Sequence, residues 1–514
     1  MTTLPVRPPY TDAELAALYP SYLELQQVQI LLRHGERTPI SSRFKTTGLA
    51  TYWPYCEAAN RFKDVVLTAD GKWDIMYWRR QMETVDANNG PTPGRSSKGS
   101  VDNICEPGEL TDLGRQTTLA LGQRIRRLYV DQLHFLPSHL TPETQGAIYL
   151  RSTPIQRALE STQQAFTGLY PATARSANLP PQPIVKRAMW EETLFPNEGG
   201  CPRFAELARA FADRTAQLYN DSPEMRLLNQ RIGKYMPKES AVVKVDSHPR
   251  LSGIMDSINA TRAHGDANDT RLPSEFYEKE VVAGVDRICT EEWFVGYQES
   301  NEYRKLGIGG LVGDLTQSMV ERAQQGERKA DKSDEAFALS LSGCHDTTIA
   351  ATLTALGGFD VRKDHWPNFT SNIAFELFRR KTGPNTPSTA PIASSNPPWW
   401  SSLFPSLTAL VTSSSAKSTS SARTPLAELS PIGKSKLHDY YVRLRYNDTP
   451  VSLPYCAQPG NHLEGDETFC TLAAFKEAAD SFTPKNWRQE CRVGLGEPAV
   501  KSPVERPPGV VNGL

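Results

Sequence analysis

The sequence predicts an α/β protein: a mainly parallel central sheet flanked by helices, with a mostly helical cap lobe inserted into it. Three segments share one order, in which an apolar run leads into a polar cluster and then into a helical pattern. Strand-then-helix units of this kind are typical of parallel α/β sheets. The same segments hold the residues that indicate chemistry.

The first segment is VQILLRHGER, where residues 28–32 have the pattern of a buried strand. Arg33, His34 and Arg37 follow directly. Two guanidinium groups beside one imidazole disfavour its protonation, because the protonated ring would face two like charges. This arrangement predicts that an anion binds there.

The second and third segments place further polar residues after a strand. Residues 148–150 predict a short strand that ends at Arg151, and a helical pattern follows. A strand through Leu341 leads to His345 and Asp346, which open a helix. Ligands of open α/β sheets bind outside the carboxyl ends of the strands. We therefore expect one pocket that contains Arg33, His34, Arg37, Arg151, His345 and Asp346.

Two other histidines occur in similar local sequences but lack this context. His438-Asp439 precedes a strand instead of opening a helix, and no apolar strand leads into the segment Arg262–Gly265. We interpret both as solvated surface residues. The predicted site therefore depends on three clusters in matching strand-end positions, and not on a lone Arg-His pair.

The chain is long for a single core, so we expect a core with large insertions. The predicted α/β core comprises residues 20–199 and 334–514. Residues 200–333 are rich in helical patterns and predict the cap lobe. Residues 385–430 are about half Ser, Thr and Pro, which is typical of a low-complexity insertion.

The insertion separates two predicted strands, NIAFELFRR and YYVRLRY, which we expect to pair as an interrupted hairpin. Within it, Trp399, Trp400 and Phe404 form an apolar cluster. This cluster could contact a membrane surface or a protein, or it could pack on its own domain.

Composition excludes some classes of partner. The formal net charge is -1, so nothing favours nucleic acid as a partner. No run of about 18 apolar residues predicts a transmembrane helix. The sequence leaves the oligomeric state open.

The eight cysteines show no CxxC motif and no His/Cys spacing typical of zinc ligands, which argues against a zinc site. The first thirty residues lack the pattern of a secretory signal. We therefore expect an intracellular, cytoplasmic protein with reduced thiols.

Taken together, the polar clusters resemble the histidine acid phosphatases, branch 2 of the histidine phosphatase clan. The family signature RHGxRxP is matched from Arg33 to Pro39. Its second block, RSTxxxR, is matched from Arg151 to Arg157, and its late His-Asp motif by SGCHDTT at residues 342–348. The resemblance spans about residues 28–456, and the low-complexity insertion departs from it.

The resemblance implies a phosphomonoesterase that acts on a small phosphorylated substrate and needs neither metal nor cofactor. His34 would be the nucleophile that forms a phosphohistidine, and Asp346 would protonate the leaving oxygen. A carboxyl group near a dianionic ligand has its pKa raised, so Asp346 would stay protonated in mild acid. The phosphoryl group would be held by Arg33, Arg37, Arg151 and His345. For Arg157, a structural ion pair and a phosphate contact are equally open.

Two alternatives remain at this stage. One is a phytase, an inositol-polyphosphate phosphatase or a lysophosphatidate phosphatase of the same family. The other is a phosphate- or phospholipid-binding scaffold without catalysis. The presence of Asp346 argues against the scaffold, because a binder needs the arginines but not the acid.

Overall fold

The computed structural model describes residues 2–5, 7–265, 270–325, 337–381 and 423–511. Its strands are β1 Leu23–Arg33, β2 Phe62–Leu67, β3 Trp73–Trp78, β4 Glu83–Val85, β5 Pro91–Pro93, β6 Ile148–Ser152, β7 Ile184–Val185, β8 Leu339–Cys344, β9 Asn372–Arg380, β10 Tyr440–Tyr446, β11 Thr449–Val451, β12 His462–Leu463 and β13 Asp466–Thr471. Its α-helices are α1 Asp12–Leu18, α2 Asp112–Arg126, α3 Gln156–Leu169, α4 Pro202–Tyr219, α5 Pro223–Ile232, α6 Leu251–Ala263, α7 Lys279–Glu299, α8 Asn301–Arg304, α9 Gly310–Gln325, α10 Asp346–Ala355, α11 Pro431–Ser435, α12 Leu472–Asp480 and α13 Trp487–Glu490.

The central sheet has the strand order β12-β13-β10-β9-β1-β8-β6-β7, and β11 pairs with β10. Strands β1, β8, β6 and β7 are parallel to one another. The sheet continues from β1 through antiparallel strands, including the predicted β9–β10 pair on either side of the insertion. The predicted α/β fold is confirmed, and its parallel part carries the strand ends of interest.

Strand β1 lies in the middle of the sheet, and its residues 27–33 are all buried. Val28, Ile30 and Leu32 face a cluster that includes residues of α2 and α3. Leu31 faces the opposite cluster, which includes residues of α6, α7, α9 and α10. Because both faces of this strand are buried, its sequence is a continuous apolar run and does not alternate between apolar and polar residues.

Between Pro202 and Gln325 the described residues form helices α4–α9 and no strand. The apolar residues of these helices share one buried cluster with Leu31 of β1 and with residues of α10. The helical lobe therefore packs directly on the face of the sheet that includes Leu31, and it extends beyond the ends of the strands. The exact limits of the lobe, 200–333, stay a prediction.

Most of the low-complexity insertion, with Trp399, Trp400 and Phe404, lies outside the described residues. The described end of it, from residue 423, packs on the core. Leu429 is buried, and the Leu426 backbone N–H donates to Asp480 Oδ2 at 2.7 Å. No helix among the described residues is long and apolar enough to cross a bilayer.

Six cysteines form disulfides, Cys56–Cys105, Cys201–Cys491 and Cys456–Cys470, so the expectation of reduced thiols is wrong for them. Cys201–Cys491 joins residues 290 positions apart, a pairing that no local spacing indicates. Disulfides are typical of oxidising compartments and weigh against a cytoplasmic location, which stays a prediction.

The thiol content of the purified protein tests these disulfides. Cys289 and Cys344 are free but buried, so the native protein should react with no alkylating reagent. After unfolding without reductant we expect two modified cysteines, and after unfolding with reductant all eight. Intact mass spectrometry counts the added groups. Eight modified cysteines without reductant would restore the expectation of reduced thiols.

Candidate active site

The site forms where β1 and β8 end side by side. Their parallel register places Arg33 beside Cys344, and the His34 backbone N–H donates to the Cys344 carbonyl at 3.1 Å. His34 and His345, one residue beyond each strand, therefore become neighbours. Their ring centroids are 5.5 Å apart, at an interplanar angle of 66°.

These residues lie at the base of a cleft of about 530 Å³ between the strand ends and helices α6 and α7. The volume is within the range of small-molecule sites. Five of the six predicted site residues line it: Arg33, His34, Arg37, His345 and Asp346. Arg157, from the first turn of α3, also lines it.

The ring of His34 has one nitrogen engaged and one available. Nδ1 lies 2.8 Å from the carbonyl oxygen of Gly35. A carbonyl oxygen can only accept, so Nδ1 carries the proton and donates it. Nε2 then keeps its lone pair, which a nucleophile requires.

Both histidines are held in the neutral form. Burial lowers the pKa of His34 well below its usual value, and the nearby Arg157, Arg33 and Arg37 lower it further. Burial and Arg157 likewise lower the pKa of His345 to about 3. The neutral imidazole of His34 therefore persists in acidic solution, where a free histidine would be protonated.

Asp346 sits at the N-terminus of α10 beside Arg33. Its Oδ2 accepts from Arg33 Nη2 at 2.6 Å and from Trp366 Nε1 at 3.1 Å, and its Oδ1 accepts from the Thr347 backbone N–H at 2.8 Å. Burial raises the pKa of Asp346, but Arg33 and Arg37 outweigh burial and lower it overall. Without a ligand the carboxyl group is thus ionised, and the prediction of a protonated acid concerns the site with a dianionic ligand bound.

A bound phosphate would change that balance. Its negative charges would offset those of Arg33 and Arg37 and would disfavour an ionised carboxylate beside them. The pKa of Asp346 would then rise in the complex, where the proton is needed. The sequence-based expectation applies to the liganded site only.

Arg37 is oriented by a carboxylate of the cap. Its Nη1 pairs with Asp256 Oδ1 of α6 at 2.6 Å, and Arg43 Nη1 pairs with Asp256 Oδ2 at 2.9 Å. Asp256 also accepts from the backbone N–H of Ile40 at 3.0 Å. One buried carboxylate thus fixes the segment after β1 against the helical lobe.

Arg151 does not line the cleft, and its predicted phosphate contact needs correction. It is the second-last residue of β6, and its side chain pairs with the fully buried Glu192 at 2.6 Å and lies 3.8 Å from Asp314. In the sheet Arg151 is level with Ser342, two residues before Cys344 ends β8, so its side chain lies below the strand ends that form the cleft. Its charge is already neutralised.

Arg157 occupies the place that the prediction gave to Arg151. It is half-buried, and it has no ion pair among the described residues. Burial and the neighbouring Arg37 lower its pKa to about 10, so it stays charged. A guanidinium group in a cleft without a carboxylate partner is suited to bind an anionic ligand.

The histidines outside the three clusters take other roles. His438 is exposed beside Asp439, as predicted. His264 is half-buried: Nε2 lies 2.8 Å from Thr111 Oγ1, and its ring stacks on Tyr55. The interpretation of His264 as a solvated residue is therefore wrong, and its role is packing.

Sequence reasoning did not find Trp366 or Asp256. Trp366 comes from the loop before β9 and Asp256 from the cap, so neither belongs to a local motif of the strand ends. An isolated Trp or Asp carries no spacing signal. Only the tertiary packing of the cap and of this loop brings them to the site.

Comparison with known proteins identifies the family. Residues 24–390 match the model of the histidine phosphatase superfamily (branch 2). The chain belongs to this superfamily. The predicted resemblance is confirmed, and the chain is a phosphoric monoester hydrolase of the histidine acid phosphatase type. A phosphohistidine intermediate is typical of the family.

Its relatives include several acid phosphatases. A protein of Schizosaccharomyces pombe named as a probable acid phosphatase is 35% identical over 487 residues, 94% of this chain and 97% of the relative. The lysophosphatidic acid phosphatase type 6 of Homo sapiens is 24% identical over 362 residues, which are 70% of this chain and 75% of the relative.

Among solved structures, the phytase of Citrobacter braakii superposes with a TM-score of 0.52. The two are 11% identical, and the match covers 91% of this chain and 100% of the phytase. At this identity the similarity supports the fold alone.

Paired substitutions separate the roles of the two arginines in this histidine phosphatase. Arg157→Gln should lower kcat/KM about 10²- to 10³-fold, because it removes a donor to the phosphoryl oxygens, while thermal stability stays near wild type. Arg151→Gln should instead destabilise the fold by about 3–5 kcal/mol, because it leaves the buried Glu192 carboxylate unpaired.

Steady-state kinetics and thermal melts of both variants provide the measurement. The assignment would be reversed if Arg151→Gln melted like wild type but lost turnover, with Arg157→Gln fully active.

Proposed function

We propose that this protein hydrolyses phosphate monoesters in two steps at His34. In the first, His34 Nε2 attacks phosphorus, the P–O bond to the leaving group breaks, and Asp346 transfers its proton to the departing oxygen. In the second, water attacks the phosphohistidine, the N–P bond breaks, and inorganic phosphate leaves. Asp346 then acts as the base that takes a proton from this water.

The observation that carries this proposal is the state of His34. Its Nε2 is unprotonated, faces the cleft, and stays so because burial and three arginines oppose protonation. A scaffold that only binds phosphate would gain from a charged imidazole, whereas a nucleophile needs the neutral ring. The structure therefore favours catalysis over binding alone.

The phosphoryl group would lie between the guanidinium groups of Arg33, Arg37 and Arg157. Planar guanidinium groups match its oxygens bidentately and neutralise the charge that the transition state spreads over them. His345, whose Nε2 lies 3.1 Å from Thr153 Oγ1, is oriented beside them by that hydroxyl group. We assign these four residues to phosphate binding.

Within this reaction class, we propose a substrate with one phosphate group and an apolar remainder. Five guanidinium groups line the cleft, and three carboxylates pair with them: Asp346 with Arg33, Asp256 with Arg37 and Arg43, and Glu292 with Arg250. Before a ligand binds, two of the five positive charges of the cleft therefore remain unpaired, which matches the charge of one phosphate dianion. Inositol polyphosphates would bring further anionic groups, and the described residues that line the cleft include no unpaired arginine besides Arg157 to bind them.

The rest of the cleft wall agrees with an apolar remainder. Trp293 and Trp366 meet edge to face at 6.0 Å, and Trp293 is 38% exposed beside the cleft. Ile40, Met255 and Phe195 also line it. These surfaces favour aryl or alkyl groups over a polar ring. The name of the human relative, a lysophosphatidic acid phosphatase, is consistent with such a substrate.

The proton donor can be tested through the leaving group. Asp346→Asn should lower kcat/KM for alkyl phosphates about 10²- to 10⁴-fold, because an alkoxide needs a proton as it departs. p-Nitrophenyl phosphate should lose far less, since p-nitrophenolate leaves without one. For a series of esters, plotting log kcat/KM against the pKa of the leaving group gives a slope for each enzyme. Exposed Asp74→Asn is the control and should retain the wild-type slope. Equal losses for all esters in Asp346→Asn would refute the assignment.

The substrate class can be tested at the cleft wall. Wild type should hydrolyse 1-naphthyl phosphate with a higher kcat/KM than phytate. Trp293→Ala should reduce that preference about tenfold, because the naphthyl ring loses a buried contact. Trp190→Ala, at an exposed tryptophan that does not line the cleft, should leave the preference unchanged. A preference for phytate in wild type would contradict the single-phosphate substrate while leaving the reaction class intact.

A further inference from the structure

The side chain of Trp366 makes a polar contact with the residue assigned as the proton donor. Trp366 is buried in the loop between α10 and β9, and its Nε1–H donates to Asp346 Oδ2 at 3.1 Å. A buried indole N–H needs an acceptor. Here the acceptor is the carboxyl group that must hold and release a proton, yet the two-step mechanism leaves this indole without a role.

Helix α7 of the cap lobe fixes the position of the indole. The backbone N–H of Trp366 donates to Asp286 Oδ1 at 3.2 Å, and Asp286 Oδ2 lies 2.8 Å from His365 Nδ1. The indole ring packs against Phe294 at a centroid distance of 5.0 Å and meets Trp293 edge to face at 6.0 Å. Asp286, Trp293 and Phe294 all belong to α7, so this helix holds the indole N–H at Asp346.

The same loop also holds Arg33, the other side chain that donates to Asp346. The Pro367 carbonyl accepts a hydrogen bond from Arg33 Nη1, and the guanidinium carbon of Arg33 lies 4.2 Å from the centroid of the Phe369 ring. From this fixed position Arg33 Nη2 reaches Asp346 Oδ2 at 2.6 Å. Oδ2 therefore accepts from two donors, both of which are held in place by one loop.

We propose that Trp366 is a positioning residue for the proton donor: together with Arg33 it occupies Asp346 Oδ2, so that Oδ1 carries the proton for the leaving group. This proposal rests on the assignment of Asp346 as the acid in the proposed function. In a protonated carboxyl group the carbonyl oxygen accepts hydrogen bonds, whereas the hydroxyl group donates. Oδ2, with two donors, is therefore the carbonyl oxygen, and Oδ1, which accepts from the Thr347 backbone N–H, is the hydroxyl oxygen.

The two donors on Oδ2 act during the proton transfer itself. As the P–O bond breaks, the proton passes from Oδ1 to the departing oxygen, and the resulting carboxylate keeps the hydrogen bonds of Arg33 and Trp366. These hydrogen bonds strengthen as the carboxylate acquires its charge, which assists the transfer. In the second step Oδ1 takes a proton from the attacking water. Without the indole N–H, the carboxyl group is freer to rotate away from the leaving oxygen.

The dependence of turnover on the leaving group tests this role, because a residue that only packs would not change it. In Trp366→Phe, kcat/KM for alkyl phosphates should fall about tenfold, since the acid is no longer fixed near the leaving oxygen. The value for p-nitrophenyl phosphate should change less than about twofold, which also shows that the variant is folded. The plot of log kcat/KM against leaving-group pKa should therefore be steeper than for wild type, although less steep than for Asp346→Asn.

The double variant Asp346→Asn/Trp366→Phe shows whether Trp366 acts through Asp346. Its slope should equal that of Asp346→Asn, because the indole then has no acid to position. Trp487→Phe is the matched control, since its indole N–H donates to the Leu306 carbonyl at 2.8 Å and Trp487 does not line the cleft. It should retain the wild-type slope.

Asp286→Ala is a second variant, which keeps the indole but frees its loop from α7. It should also steepen the slope, and it decides the question if Trp366→Phe does not fold. A wild-type slope in Trp366→Phe, equal losses for all esters, or a double variant steeper than Asp346→Asn overturns the positioning role, while the Asp346→Asn result still supports the acid. A wild-type slope in Asp346→Asn would instead refute the proposed function on which this role rests.

Discussion

The parallel pairing of β1 with β8 is the constraint on which the rest of the structure depends. Its register ends both strands together and places one histidine just beyond each of them. The apolar residues of β1 pack on both faces, so neither strand can slip without exposing them. The positions of His34, His345 and Asp346 are therefore set by burial of the core, and the catalytic groups need not stabilise their own arrangement.

Concentrating three arginines around two imidazoles carries an electrostatic cost that the surroundings offset. Asp346 and Asp256 pair with Arg33 and Arg37, while Arg157 is left without a carboxylate partner among the described residues. Removing a charge from water is costly unless it is paired or binds a ligand. The unliganded site thus keeps part of its positive charge available for a phosphoryl group.

The strands that build the site were predictable because a fully buried parallel strand has a recognisable apolar run, and both β1 and β8 show it. Arg151 was predicted to line the pocket because the sequence does not reveal the register, which places it level with Ser342 and two residues below the end of β8. Arg157 gives a weaker signal because it follows the strand by several residues, although it lies in the first turn of the next helix, which also faces the ligand crevice. Trp366, Asp256 and the Cys201–Cys491 disulfide depend on distant packing, which no local pattern encodes.

The most direct test of the central claim is to identify the phosphorylated atom. Wild type should be mixed with a labelled phosphate monoester and quenched during turnover under conditions that preserve phosphohistidine. Mass spectrometry should then identify the phosphorylated residue. We predict one phosphate per chain on His34, bonded to Nε2 because Nδ1 donates to the Gly35 carbonyl. Label on His345, label retained in His34→Ala, or turnover with no trapped phosphoenzyme would contradict the account.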